Sequence, residues 1–217
     1  MAEIVLVRHG QASFGAPDYD MLSPLGHQQA EWLGDYFNAH GLHFDRVLRG
    51  GLRRQRETVE GIARTHQQPD ATEDTRLDEF HYDGLQRQYM AATGSDAPSD
   101  RSSFLRIFPE VFTQWETGEI DGGSEAFTDF SARVNAVLDD AIQAGGRTLL
   151  VTSGGVIGVS IGTALGLDAR ATAELLLNIH NASVHRLEYE AGKLRLSLFN
   201  ASPHLDPAER AHARTYV

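Results

Sequence analysis

Two short runs of this 217-residue chain, IVLV over 4–7 and LLV over 149–151, are apolar at every position and lead into glycine-marked turns. A strand that alternates apolar and polar side chains turns one face to water. A continuous apolar run suits burial on both faces, as in the inner strands of a parallel sheet. Each run ends in a polar, glycine-marked turn, Arg8-His9-Gly10 after the first and Ser153-Gly154-Gly155 after the second. The strands are expected over 3–7 and 148–152. Both turns are then expected in the crevice beyond the strand carboxyl ends, where open α/β sheets hold their ligands.

Helical patterns lie between these strands. Over 23–39, Leu25, Ala30, Trp32, Leu33, Tyr36 and Phe37 form an apolar stripe, with Ser23 as N-cap and Pro24 at the first helical position. A short strand over 45–48 precedes a helix over 51–65 that carries Arg53, Arg54 and Arg56 on its first turns. Segment 76–80 reads as a brief edge strand or turn, and 83–119, with several Gly, Ser, Pro and Asp around short helical pieces, as an inserted lid. Phe127, Phe130, Val134, Val137, Leu138, Ala141 and Ile142 give an amphipathic helix over 125–143, and a second, apolar helix covers 156–165. Runs 184–189 and 193–199 read as an antiparallel hairpin, with an irregular tail after Asn200. Strands alternating with helices imply an α/β fold, a mainly parallel sheet with helices on both faces. The length and the lack of an internal repeat point to one domain over 1–217.

The formal net charge of −11 repels polyanions, so neither a nucleic acid nor a membrane surface is expected as partner, and any anion site has to be local. Lys193 is the only lysine. The positive charge is therefore almost all arginine, whose planar fork suits bidentate contact with phosphate. The absence of cysteine excludes disulfides, thiolate metal sites and cysteine nucleophiles. No apolar stretch approaches the ~20 residues of a membrane helix. The opening MAEIVLV has no basic region ahead of its apolar run, so no signal peptide is read and a cytoplasmic location is expected.

Arg8-His9-Gly10 puts a fixed cation, an imidazole and an unhindered backbone N–H at one strand end. Phosphoryl transfer asks for that combination, a nitrogen able to attack in line and donors already aimed at the equatorial oxygens. Further segments follow in order: LSPLGHQQA over 22–30, LRRQRET over 52–58, RLDEFHYDGLQ over 76–86, GGSEAFTDFSARV over 122–134 and FNASPHL over 199–205. Together with LVRHGQ over 6–11, they resemble the histidine phosphatase (phosphoglycerate mutase-like) superfamily along nearly the whole chain.

The resemblance implies a two-step mechanism through phosphohistidine. His9 would be the nucleophile, Arg8 and Arg54 would clamp the phosphoryl oxygens, and Glu79 would be the general acid and then base, with Gly10, Ser153 and Gly154 completing the phosphate site. Glu125 and Arg133 fall in register with the family's helix start. Neither a metal nor another cofactor is required. The acid-bearing segment is nearest to the mutase branch. One position departs from the pattern: where the family carries a second histidine after the strand 148–152, this chain has Ser153. A hydroxyl donates one uncharged hydrogen bond in place of a charge-assisted one, so slower turnover is expected. Of His27, His81, His180 and His204, His180 is the leading candidate to replace the missing ring, with a surface role the simpler reading. Arg87, Arg101 and Arg106 of the lid are candidates to meet a second anionic group. The expected function is a phosphomonoester hydrolase acting on a small phosphorylated metabolite or a phosphoprotein. The alternatives are a catalytically weak binder of a phosphorylated ligand and a mutase-type phosphotransferase.

Overall fold

In the computed structural model, which describes residues 1–13 and 19–216, the IVLV run lies inside β1 (Ala2–Arg8) and TLLVT closes β4 (Gly146–Thr152). The two strands pair in parallel from Ala2 opposite Gly146 to Arg8 opposite Thr152. Around them the chain forms α1 (Pro24–Ala39), β2 (Arg46–Arg49), α2 (Arg53–Ala63), β3 (Thr72–Glu73), α3 (Tyr82–Thr93), α4 (Arg101–Glu116) and α5 (Phe127–Ala144). After β4 come α6 (Gly154–Leu165), α7 (Ala169–Leu176), β5 (Val184–Glu190) and β6 (Lys193–Ala201). The sheet order is β3-β2-β4-β1-β5-β6. Its first four strands are parallel, and β5 and β6 run antiparallel as the expected hairpin.

The period of two along the central strands divides the core between the two faces. Val5, Val7, Leu149 and Val151 pack with Leu33 and Phe37 of α1 and Val59 and Ile62 of α2. Ile4, Leu6 and Leu150 pack on the other face with side chains of α4, α5 and α6. The N-terminus of α1 comes up against the loop after β1 at backbone distance. A Cβ on Gly10 would lie 2.4 Å from the Gly26 carbonyl oxygen, and one on Gly26 would lie 2.2 Å from that of Gln11. Ser23 caps the helix by accepting from Gly26 N–H at 3.0 Å.

Of the two readings of 76–80, an edge strand or a turn, the structure takes the turn. The edge strand is β3, and Thr75–Leu77 forms a 3-10 turn capped by the Asp74 carboxylate, which accepts from Arg76 N–H at 3.0 Å. The lid contains two substantial helices, α3 and α4, rather than short pieces. Pro109 sits inside α4, where it forfeits a hydrogen bond, but burial of Phe108, Val111, Phe112 and Trp115 offsets that loss. Helix α7 was not anticipated, although its N-cap Asp168, which accepts from Ala171 N–H at 2.8 Å, is an ordinary start signal.

The lid is fastened to the acid-bearing segment and to α5 by stacked and edge-on aromatic rings. Phe80 stacks on Trp115 at 4.8 Å between centroids, and Phe112 meets Phe127 edge-on at 5.6 Å. Phe112 is 1% exposed. Phe112→Ala is expected to destabilise the fold by about 3–5 kcal/mol, the cost of a large buried cavity. Urea denaturation measures this; a loss under about 1 kcal/mol would mean that the lid unfolds independently of the core.

Candidate functional site

Beyond the carboxyl ends of the parallel strands lies a cavity of about 860 Å³. Arg8, His9, Arg54 and Glu79, four residues singled out from the sequence, all line it. Each arrives on a different support: Arg8 closes β1, His9 follows it, Arg54 is on the first turn of α2, and Glu79 lies just past the 3-10 turn.

His9 is 5% exposed, and its backbone N–H extends the ladder to the Thr152 carbonyl at 2.9 Å. Its Nδ1 lies 2.8 Å from the Gly10 carbonyl oxygen. A carbonyl only accepts, so Nδ1 carries the proton and Nε2 holds the lone pair. Nε2 in turn accepts from Arg54 Nε–H at 3.1 Å. Burial, then the charges of Arg54 and Arg8, hold the imidazole pKa well below its ordinary value, so the ring is neutral at neutral pH.

Arg54 is steered by an acid not recognised in the sequence. Asp20 accepts from Arg54 Nη1 at 2.6 Å and, through its other oxygen, from Arg53 N–H at 2.7 Å. Tyr19 lies beside it, its ring 5.9 Å from the Arg54 guanidinium carbon. Arg8 donates through Nη1 to the Ile179 carbonyl at 2.5 Å. Its buried Nε–H has no hydrogen-bond partner among the described residues. Burial, partly opposed by Glu79, lowers the Arg8 pKa to about 10, which leaves it charged at neutral pH.

Glu79 is held at the N-terminus of α6. Gly155 N–H donates to both carboxyl oxygens, at 3.1 and 3.0 Å. Any Cβ at Gly155 would stand 2.2 Å from Glu79 Oε1 and 2.5 Å from the Phe80 ring, so glycine is required for this approach. Burial raises the Glu79 pKa against the pull of Gly155 N–H and Arg54. The backbone leading to Glu79 is fixed from three sides. Arg133 donates to the carbonyls of Arg76 and Asp78 at 2.7 and 2.8 Å while paired with Glu125 at 2.7 Å. Thr152 Oγ1 and Gln55 Nε2 both donate to the Leu77 carbonyl, at 2.6 and 3.0 Å.

Other sequence-selected residues stand behind the cavity wall. Ser153 is fully buried, and its Oγ accepts from Gln55 Nε2 at 3.0 Å. Gly10 N–H is engaged with Thr58 Oγ1 at 3.0 Å rather than unhindered. Neither these two nor Gly154 lines the cavity. The expected anion-binding N–H at the start of α6 belongs to Gly155 and holds Glu79. Of the four further histidines only His81 lines the cavity. His180 packs edge-on against Tyr216 at 4.7 Å, His27 lies 3.7 Å from Glu57, and His204 is buried. Arg101 lines the cavity, whereas Arg87 and Arg106 do not. Asp20 and Tyr216 carried no local motif, and Gln55 and Thr152, though inside runs already singled out, gave no sign of their role, because each acts on a partner far away in the chain. No group of three or more His, Asp or Glu gathers to hold a metal among the described residues, and no helix there is long and apolar enough to cross a membrane.

Residues 4–202 match the family described as "Histidine phosphatase superfamily (branch 1)". The chain is 29% identical over 198 residues to "Probable phosphoglycerate mutase GpmB" of Salmonella choleraesuis (strain SC-B67), covering 88% of this chain and 86% of the relative. Among solved structures it resembles a phosphoserine phosphatase mutant from Entamoeba histolytica in complex with phosphoserine, at a TM-score of 0.68 and 19% identity over 94% of this chain and all (100%) of that one. It also resembles a mycobacterial glucosyl-3-phosphoglycerate phosphatase, at a TM-score of 0.67 and 22% identity over 93% and 99% of the two chains. At these identities the structural matches establish the fold alone.

The raised Glu79 pKa has a thermodynamic signature. The folded chain keeps this proton over a pH window in which the unfolded chain has released it. The resulting stabilisation is complete below the ordinary glutamate pKa and lost as pH rises through the raised folded value. Glu79→Gln retains an acceptor for Gly155 N–H and removes the titration. Urea midpoints from about pH 4 to about pH 8 are expected to show the variant gaining stability relative to the parent as pH rises. A difference independent of pH would mean that Glu79 titrates alike in the folded and unfolded chains.

Proposed function

The chain belongs to branch 1 of the histidine phosphatase superfamily, whose members resembling it include phosphatases and mutase-like proteins, and we propose that it is a phosphomonoester hydrolase working through a phosphohistidine. The observation that carries this reading is the neutral His9 ring, its Nε2 lone pair at the inner end of the cavity between two guanidinium groups.

In the proposed first step Nε2 attacks phosphorus in line, and the bond from phosphorus to the ester oxygen breaks. The orphaned Nε–H of Arg8 and the guanidinium of Arg54 meet the equatorial oxygens, where charge is held in the transition state. The Arg54 Nε–H that rests on His9 Nε2 gains a stronger, anionic acceptor when phosphate enters, which frees the lone pair for attack. Glu79, whose raised pKa favours its acid form, gives its proton to the leaving alkoxide. In the second step the Glu79 carboxylate takes a proton from water as that water attacks phosphorus. The P–N bond breaks, releasing phosphate and restoring neutral His9 and protonated Glu79. Arg133, Thr152 and Gln55 hold Glu79 in place through the backbone that precedes it.

Ser153, at the position where the resemblance implies a second histidine, supplies no imidazole, and its hydroxyl is already tied to Gln55. Turnover slower than that of a site with both histidines is expected from this substitution, and Ser153→His is expected to raise it. A mutase-type phosphotransferase is the second reading, favoured by the name of the sequence relatives. It requires the phosphorylated enzyme to be protected from water until transfer.

Phosphate release from p-nitrophenyl phosphate is expected to fall at least about 10³-fold in His9→Ala. Parent protein quenched in alkaline detergent should carry an alkali-stable, acid-labile phosphoryl group that the variant lacks. Release unaffected by the loss of His9 would end the phosphohistidine reading. Glu79→Gln is expected to lower kcat/KM, which reports only the step up to loss of the alcohol, by about 10²–10⁴-fold for an alkyl phosphate and far less for p-nitrophenyl phosphate, because nitrophenolate leaves without a proton. Equal losses on the two esters would remove Glu79 from the acid role.

A further inference from the structure

The cavity changes character away from its four inner groups. Its volume of about 860 Å³ is near the top of the roughly 300–1,000 Å³ range of sites that enclose drug-sized ligands. A phosphoryl group on a three-carbon acid leaves much of that space empty. Tyr82, Phe104, Leu105, Phe108, Leu177 and Tyr216 line the outer part. The rings of Tyr82, Phe104 and Phe108 lie 5.1–5.7 Å apart, so α3 and α4 present one continuous aromatic surface. Six large hydrophobic side chains are exposed among the described residues, and three of them line this cavity: Tyr19 at 48%, Leu105 at 36% and Tyr216 at 36%. Apolar side chains exposed singly need no explanation, but their gathering at one concave mouth marks a binding surface.

The charges of the outer wall point the same way. Arg101 is its one fixed cation among the described residues, and its guanidinium carbon lies 4.7 Å from the centre of the Tyr216 ring. Asp83 and Asp100 line the same region. A second phosphate or carboxylate on the substrate would thus meet two carboxylates for one guanidinium. The Tyr82 hydroxyl is buried without a hydrogen-bond partner among the described residues and offers one neutral polar contact.

We infer that the preferred substrate is a phosphomonoester of an uncharged alcohol bearing an aromatic or similarly bulky apolar group, with no second anionic group. This rests on the hydrolase reading of the inner end. The alcohol portion lies along the face made by α3 and α4, and apolar contact there sets the selectivity.

Steady-state kinetics with 2-phenylethyl phosphate, ethyl phosphate and 3-phosphoglycerate tests it, since the two simple alcohols leave with similar basicity. The ratio of kcat/KM for the phenylethyl over the ethyl ester is expected to be at least ~10. It should fall toward one in Phe104→Ala and decrease in Leu105→Ala, a change at an exposed position that spares the core. A ratio near one, or a higher kcat/KM for 3-phosphoglycerate than for the phenylethyl ester, overturns the inference. Titration calorimetry with 2-phenylethylphosphonate and ethylphosphonate separates it from the hydrolase reading. If no ester turns over but the phenylethyl compound binds ~10-fold or more tightly, the hydrolase reading fails and the apolar selectivity stands. If no ester turns over, equal or undetectable binding of the two overturns the selectivity as well.

Discussion

The Nδ1–H of His9 donates to the carbonyl of the next residue at 2.8 Å, and this bond decides which ring nitrogen faces the cavity. With the proton committed to Nδ1, Nε2 is left with a lone pair beside two guanidinium groups that disfavour its protonation. The rest of the site serves that arrangement. Parallel pairing of β1 with β4 places His9 at a strand end, the close approach of Gly10 and Gly26 seats α1 behind it, and Thr58 ties the loop to α2. A side chain at Gly10 would press on the α1 backbone and displace the carbonyl on which the tautomer depends.

Electrostatics here is local and opposed to the charge of the chain as a whole. A net charge of −11 makes the average surface hostile to a phosphorylated molecule. The inner end of the cavity nonetheless holds two arginines in a largely desolvated setting, where Coulombic interactions are less screened than in water. Asp20 orients Arg54, and the Ile179 carbonyl orients Arg8. Glu79 lines the same cavity and is kept toward its acid form by burial, which allows it to coexist with a neutral imidazole. Its place at the head of α6 uses a helix N-terminus to hold a protein carboxyl rather than an external anion.

The lid is part of the core. Phe80 directly follows Glu79 and stacks on Trp115 of α4, which also meets Phe112, Phe127 and Phe130. One aromatic cluster therefore positions the acid-bearing segment and anchors the helices whose other side chains shape the cavity mouth. Packing of this density transmits displacement, so changes in the lid core are felt at Glu79 as well as in stability.

The strands at the centre of the sheet were legible because a run apolar at every position has few homes other than a strand buried on both faces, and IVLV and LLV are such runs. His9, Arg8, Arg54 and Glu79 were legible because each sits in an ordered segment of a recognisable family, and the fold brings all four to one cavity. The two-residue β3 was not, since two residues display no period, and the length of α4 was hidden by Pro109, whose local cost is offset only by tertiary burial. Ser153 was read as a cavity donor from its place in the chain, yet its hydroxyl faces Gln55, a partner 98 residues away. Asp20 against Arg54, Arg133 against the carbonyls before Glu79, and Tyr216 at the cavity mouth were invisible for the same reason. The sequence by itself determined the strand core, the family and the four residues that meet at the inner end of the cavity, because these rest on local periodicity and on residue identity. Only the tertiary structure decided the tautomer of His9, the burial that raises Glu79 and the apolar mouth of the cavity, because each depends on desolvation and contact between segments distant along the chain.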